Sequence, residues 1–156
     1  MKLIKSIVLC LIVVGLSAPA FAADRKKELA DAVDHGAKVI QGKGKAGLDE
    51  LKSFRFAGGE GYLYVTDMEA VVIMHPVAKE LLGKNCVAIK DAKGKYFGAE
   101  MMAKAKKDGA GWTSYSWPNP KNNNVPELKC TYYKVADMAG QKVIVCGALS
   151  GVGECN

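Results

Sequence analysis

The chain has 156 residues, a formal net charge of +6 and five cysteines. That length supports one domain around one hydrophobic core. The lysines are scattered among acidic residues rather than gathered into a block, which speaks for a solvated surface and against a nucleic-acid-binding stripe.

The chain opens with MKLIKSIVLCLIVVGLSAPAFAAD: two lysines, an apolar stretch, then small residues ending Ala20-Phe21-Ala22. This is the three-part pattern of a secretory signal over residues 1–22, with cleavage expected between Ala22 and Ala23. The apolar run is shorter than the roughly 20 residues a membrane span needs. Val8 and Leu9 before Cys10 are not the small residues of a lipoprotein site. The expected product is one exported domain, residues 23–156, in a bacterial periplasm, its charge lowered to +4 by loss of Lys2 and Lys5.

From Asp24 the apolar positions Leu29, Val33, Ala37 and Ile40 recur at helical spacing between charges, predicting an amphipathic helix. His35 falls one place off that stripe and reads as a partly exposed helix residue. QGKGKAG breaks the helix, LDELKSF adds a short helical segment, and FAGGEG reads as a loop. YLYVTD and AVVIMHP form a tight hairpin, with Tyr62, Tyr64 and Thr66 on one face by the period of two. Pro76 ends the second strand, AKELLGK makes at most a short helical turn, and DAKGK has turn chemistry. YFGAEMMAKAKKDGAG predicts a second clear helix, Phe97, Met101, Met102 and Ala105 inward, stopping at Gly109. GWTSYSW, ELKCTYYKV and KVIVCGAL follow as three strands of a meander. The expected fold is α+β: a five-stranded antiparallel sheet, a long N-terminal helix on one face, and loops with the middle helix on the other.

Cys86, Cys130, Cys146 and Cys155 lie beyond the signal; in an oxidising compartment they allow three full pairings. A hairpin centred on Met138 would set Cys130 opposite Cys146 and predicts a disulfide between them. Cys86 and Cys155 would then pair or remain free. No CxxC, CxxCH or HExxH spacing occurs, so no thiol-redox, haem or zinc-protease centre is expected, and no metal ligands or catalytic residues are assigned.

GYLYVTDMEAVVIMHPVAKELLGKN, IKDAKGKYF, AKAKKDGAGWTSYSWPNP and ELKCTYYKV, in this order, resemble the single Cache domains of bacteria, PAS-like extracellular sensor modules of chemoreceptors and histidine kinases. The likeness runs from about Asp24 to Leu149, and the GxGWxxYxWPxP stretch is its most specific part. It implies a small ligand, an organic acid or amino acid, held between the sheet and the loops over it, with a membrane receptor or kinase as partner and no cofactor. The family pattern falls on Tyr64, His75, Trp112, Tyr115, Trp117, Lys129 and Tyr132, of which all but Trp112 are expected as ligand-binding residues. Two features depart from it: DMEA lacks the Gly usual after the Asp of the first hairpin turn, and CGALSGVGECN lacks a helix running on toward a membrane.

By residue chemistry, Lys129 supplies a cation for a carboxylate, Tyr115 and Trp117 supply apolar walls with one donor each, and His75 adds a donor. Tyr115 and Trp117 share a face, whereas Trp112 lies an odd number of positions from both. Lys129 and Tyr132 also differ in parity, so a regular strand turns one of them away from any common ligand. Two other functions are weighed against a sensory binding domain: a scaffold that has lost its ligand, and an enzyme built on the scattered cysteines and His75.

Overall fold

Leu29, Val33, Ala37 and Ile40 are all buried along one stripe of the first helix, α1 (Ser17–Lys43). The computed structural model describes residues 17–119 and 122–155. Most of the expected signal segment, residues 1–16, lies outside the described residues, and the expected cleavage point falls inside α1. Gly44, in the left-handed region at φ 56°, ends α1 and turns the chain into α2 (Ala46–Ser53).

The strands are β1 (Arg55–Phe56), β2 (Gly61–Asp67), β3 (Val72–Met74), β4 (Ala110–Asn119), β5 (Val125–Met138) and β6 (Gln141–Ser150). They make one antiparallel sheet in the order β1-β2-β6-β5-β4, with β3 also paired to β2. The sheet has one strand more than periodicity predicts, because the two-residue β1 pairs with the start of β2 where a loop was expected. Its middle is non-local: the early strand β2 docks on the last strand, β6, and the meander completes the other side.

One face packs on α1 through a core that includes Leu29, Val33, Leu51, Leu63, Val65 and Val145. The approach is close enough to need glycine. A Cβ on Gly36 of α1 would lie 2.6 Å from Leu63 Cδ1, and one on Gly147 of β6 would lie 2.7 Å from Val33 Cγ2. The other face carries a second core of Tyr64, Tyr115, Tyr133, Ile144 and Cys146, covered by α3 (Phe97–Asp108) through Phe97, Met101, Met102 and Ala105. As predicted, α3 stops at Gly109, left-handed at φ 76°, whose N–H returns to the Ala105 carbonyl.

The β2–β3 turn forms without a glycine. Ala70 takes the left-handed conformation at φ 64°, and the Asp67 carboxylate accepts from the Glu69 and Val71 N–H groups, each at 2.8 Å. These two bonds replace the conformational freedom that glycine would provide.

The disulfide joins Cys130 to Cys155, not to Cys146, with Cα atoms 5.7 Å apart. The hairpin turns at Ala139 and Gly140, so Met138 faces Gln141, Cys130 faces Leu149, and Cys146 faces Tyr133. Cys130 also belongs to the α1-side core and Cys146 to the opposite one, so the sheet separates them. Cys155 comes back along the α1 side, where its N–H donates to Ser114 Oγ at 2.7 Å. Cys86 and Cys146 are free thiols.

Candidate functional site: a cavity between the sheet and the middle helix

Between the second face of the sheet and the α3 side lies a cavity of about 500 Å³. β2 contributes Tyr62, Tyr64 and Thr66 to its wall, and the end of β3 is followed by His75. β4 brings Tyr115 and Trp117, and β5 brings Lys129. The period of two decides this selection: Tyr115 lies directly across from Lys129 in the β4–β5 ladder, so both project to the cavity face.

Tyr132 is not part of this wall. The β4–β5 register is regular through Tyr115, Lys129 and Tyr132, without a bulge, so the parity difference between Lys129 and Tyr132 stands. Tyr132 projects to the α1 side, where its ring sits 4.6 Å from that of its cross-strand partner Trp112. Of the six expected ligand-binding residues, then, Tyr64, His75, Tyr115, Trp117 and Lys129 are brought together and Tyr132 is turned away.

Lys129 Nζ is 3.4 Å from the Tyr62 hydroxyl oxygen and 5.3 Å from the centre of that ring. Burial lowers the lysine pKa, and Glu127 offsets this only in part. Among the described residues no carboxylate forms an ion pair with Lys129. A partly buried ammonium whose neighbour is a phenol is a site with unmet demand for an anion.

His75 stands beside it. Its Nδ1 accepts from the backbone N–H groups of Val77 and Ala78 at 3.2 and 2.9 Å, so the neutral ring carries its proton on Nε2. Burial lowers its pKa to about 4; Lys129 pushes in the same direction and Glu80 against it. The ring lies 5.2 Å from Tyr62 and 5.3 Å from Tyr64, so Lys129, Tyr62, Tyr64 and His75 form one connected cluster. Tyr62, deprived of water, is pushed up to about 12, and Tyr64 is raised well above its usual value by the same cause. Both phenols keep their protons at neutral pH and can donate.

The rest of the wall is apolar. Phe97 of α3 stacks on Tyr115 at 4.1 Å, and Trp117 meets both rings edge-on at 5.6 and 6.1 Å. Met101 Sδ accepts from the Tyr64 hydroxyl, and Thr131 donates to the Tyr115 oxygen at 3.2 Å. The segment after His75 is held to β4 by Asp91, whose carboxylate accepts from the N–H groups of Lys93, Lys95 and Ser116. Burial would raise its pKa, but those three backbone bonds outweigh burial and hold it below the usual value.

Sequence reasoning left three kinds of wall residue unassigned. Tyr62 was legible, because it shares the parity of Tyr64. Phe97, Met101 and Met102 read only as the inner stripe of a helix, and a stripe does not say whether it meets a core or a cavity. Val77, Ala78 and Leu81 lie in an irregular segment with no period to read.

The Cache domain family matches residues 45–140, well over half the chain. This protein is a member of the Cache domain family. It is similar to the methyl-accepting chemotaxis protein McpP of Pseudomonas putida, with 32% identity over 88 residues, 56% of this chain and 16% of that receptor. The chain thus spans a small part of the curated relative it matches.

Among solved structures, a Cache chemosensory domain described for carboxylic acid recognition superposes with a TM-score of 0.69 at 27% identity, covering 84% of this chain and 95% of that one. A methyl-accepting chemotaxis protein from Vibrio parahaemolyticus gives a TM-score of 0.67 at 25% identity, covering 84% and 92%. The periplasmic sensor domain of a chemotaxis protein gives 0.63 at 25% identity, covering 86% and 95%. The family is one of sensory domains, and the chain has its α+β, PAS-like fold.

Proposed function

We propose that this Cache domain is an exported sensory module that binds a small organic acid, with Lys129 as the anchor of the carboxylate. The observation that carries the reading is the partly buried Lys129, without a carboxylate ion-pair partner among the described residues, beside the donors of Tyr62 and His75. Tyr64, Tyr115 and Trp117 wall the ligand. The likeness to a Cache domain that recognises carboxylic acids supports the same ligand class. Cleavage after Ala22 fits the reading, since Phe21 is exposed and, over residues 21–29, Leu29 is the one that is buried. Signal output passes to a membrane receptor or kinase.

The test is a thermal-shift and calorimetry screen of short carboxylates and amino acids on protein recovered from the periplasm. A ligand that binds only the native state raises apparent stability by RT ln(1 + [L]/Kd). Lys129→Met should abolish that shift, weakening binding at least tenfold, while the ligand-free variant melts no lower than wild type because a desolvated charge is gone. Full affinity in the variant would remove Lys129 from the role. An intact mass that retains residues 1–22 would rule out the processing.

A further inference from the structure

We infer that the cavity takes a monocarboxylate with a branched or aromatic apolar tail, rather than a two-carbon acid, an amino acid or a dicarboxylate. The inference rests on the carboxylate reading above and narrows it to one class of acid.

The first observation is size against wall chemistry. A two-carbon acid fills roughly three waters' worth of space, about 90 Å³ at ~30 Å³ per water. The cavity holds about 500 Å³. An acid anchored at Lys129 therefore has most of the cavity before it. The cross-strand pairing sets Tyr115 beside Lys129, and Phe97 stacked on Tyr115 leads from there to the α3 wall of Met101 and Met102. Of the hydroxyls in this region, Tyr64 donates to Met101, and Tyr115 accepts from Thr131 and keeps a single O–H to donate. Apolar surface between rings and thioethers is matched by an apolar tail, and the two methionines adapt to its branching.

The second observation is the inventory of charge. An amino acid brings an ammonium that must find an acceptor inside the cavity, and burying it unpaired is costly. Of the carboxylates along the wall among the described residues, Glu60 is exposed and paired with Arg25, Glu80 is exposed, and Glu127, partly buried across from Trp117, has both oxygens accepting from Asn119 and Asn122. None of the three is fully buried, and the one nearest the aromatic stack, Glu127, is already engaged by two amides. A second carboxylate would need a second cation, and among the described residues the other one on the wall, Arg55, is exposed with its Nη1 bound to the Lys52 and Phe54 carbonyls. Among the described residues, one inner cation and a largely apolar remainder describe an acid with one charge.

Calorimetry on the purified protein with acetate, 4-methylpentanoate, phenylacetate, leucine and succinate tests this. Leucine is 4-methylpentanoate with an added ammonium, so that pair isolates the charge. Each buried methylene is expected to tighten binding about fourfold, the equivalent of ~0.8 kcal/mol. The expected ranking sets 4-methylpentanoate or phenylacetate about two orders of magnitude above acetate, and leucine and succinate at least tenfold below 4-methylpentanoate. Met101→Gln, with its melting curve as the check on folding, should cut the preference for 4-methylpentanoate over acetate severalfold. Acetate binding as tightly as the longer acids would overturn the tail and leave the carboxylate site standing. Leucine or succinate equal to 4-methylpentanoate would overturn the single charge. An unchanged preference in folded Met101→Gln would overturn the placement of the tail against α3. No binding by any of the five would sink the carboxylate reading itself.

Discussion

Two backbone N–H groups, from Val77 and Ala78, converge on Nδ1 of His75, and that convergence sets what the residue can do. A protonated imidazole has no lone pair for either, so both bonds belong to the neutral ring. With its pKa lowered from 6.5 to about 4, the native state prefers the neutral form and the unfolded chain takes up the proton first. The resulting stability is fully present above pH 6.5 and is lost as pH falls toward 4, an effect of about 3 kcal/mol. Urea unfolding at pH 7 and pH 4.5 should show that loss in the wild type. His75→Asn, whose side-chain oxygen can accept the same N–H groups without titrating there, should show a smaller one; an identical pH dependence would remove His75 as its source. Lys129 is the converse case: burial works against its charged form until an anion arrives.

At the scale of the element, the β5–β6 hairpin shows how much rests on a turn. Reading the turn about Met138 rather than at Ala139-Gly140 moves the expected partner of Cys130 by three residues, from Leu149 to Cys146. An odd shift also exchanges faces, because side chains alternate along a strand. The disulfide that forms instead closes a sequence separation of 25 residues and ties the segment after β6 to the α1 side of the sheet. Closing a loop of that size restricts the unfolded chain by about 3.5 kcal/mol in the chain-entropy account. The double variant Cys130→Ser, Cys155→Ser should lose roughly that amount in urea unfolding. Peptide mapping of unreduced protein should recover the Cys130–Cys155 link and alkylate Cys86 before the fully buried Cys146, both thiols being held protonated by burial. A link from Cys130 to any other cysteine would contradict the register.

For the molecule as a whole, the sheet is a partition with different work on its two faces. Trp112, on the α1 side, is half-buried, packs on Tyr132 and has the Lys26 ammonium 4.8 Å from its ring centre. Trp117, on the other side, lines the cavity. Removal of Trp112 should therefore cost less than the 3–5 kcal/mol of a fully buried aromatic, about 2 kcal/mol, and leave the affinity for a bound acid within twofold. Trp117→Ala should do the reverse, weakening binding at least fivefold with a smaller change in unfolding free energy. Paired calorimetry and urea unfolding on the two variants decide it; equal losses in both measurements would mean that the partition does not divide binding from stability.

The sequence by itself determined the parts of this protein that depend on local periodicity and local chemistry. The stripe of α1, the inward residues of α3, the glycine stop at Gly109 and the alternation of β4 are all short-range, set by 3.6- and 2-residue periods and by the freedom of one glycine. Alternation also separated Trp112 from Tyr115 and Trp117, and Lys129 from Tyr132, without saying which face would hold a cavity. Only the tertiary structure decided that. The docking of β2 on β6 brings Tyr62 and Tyr64 onto the same face as Lys129, across about 65 residues of chain that no period connects. The pairing of Cys130 with Cys155 likewise depends on the hairpin register and on a return of the chain beyond β6. The demand for an anion at Lys129 comes from the loss of water around it, and burial is produced by the whole assembled fold rather than by the residues on either side.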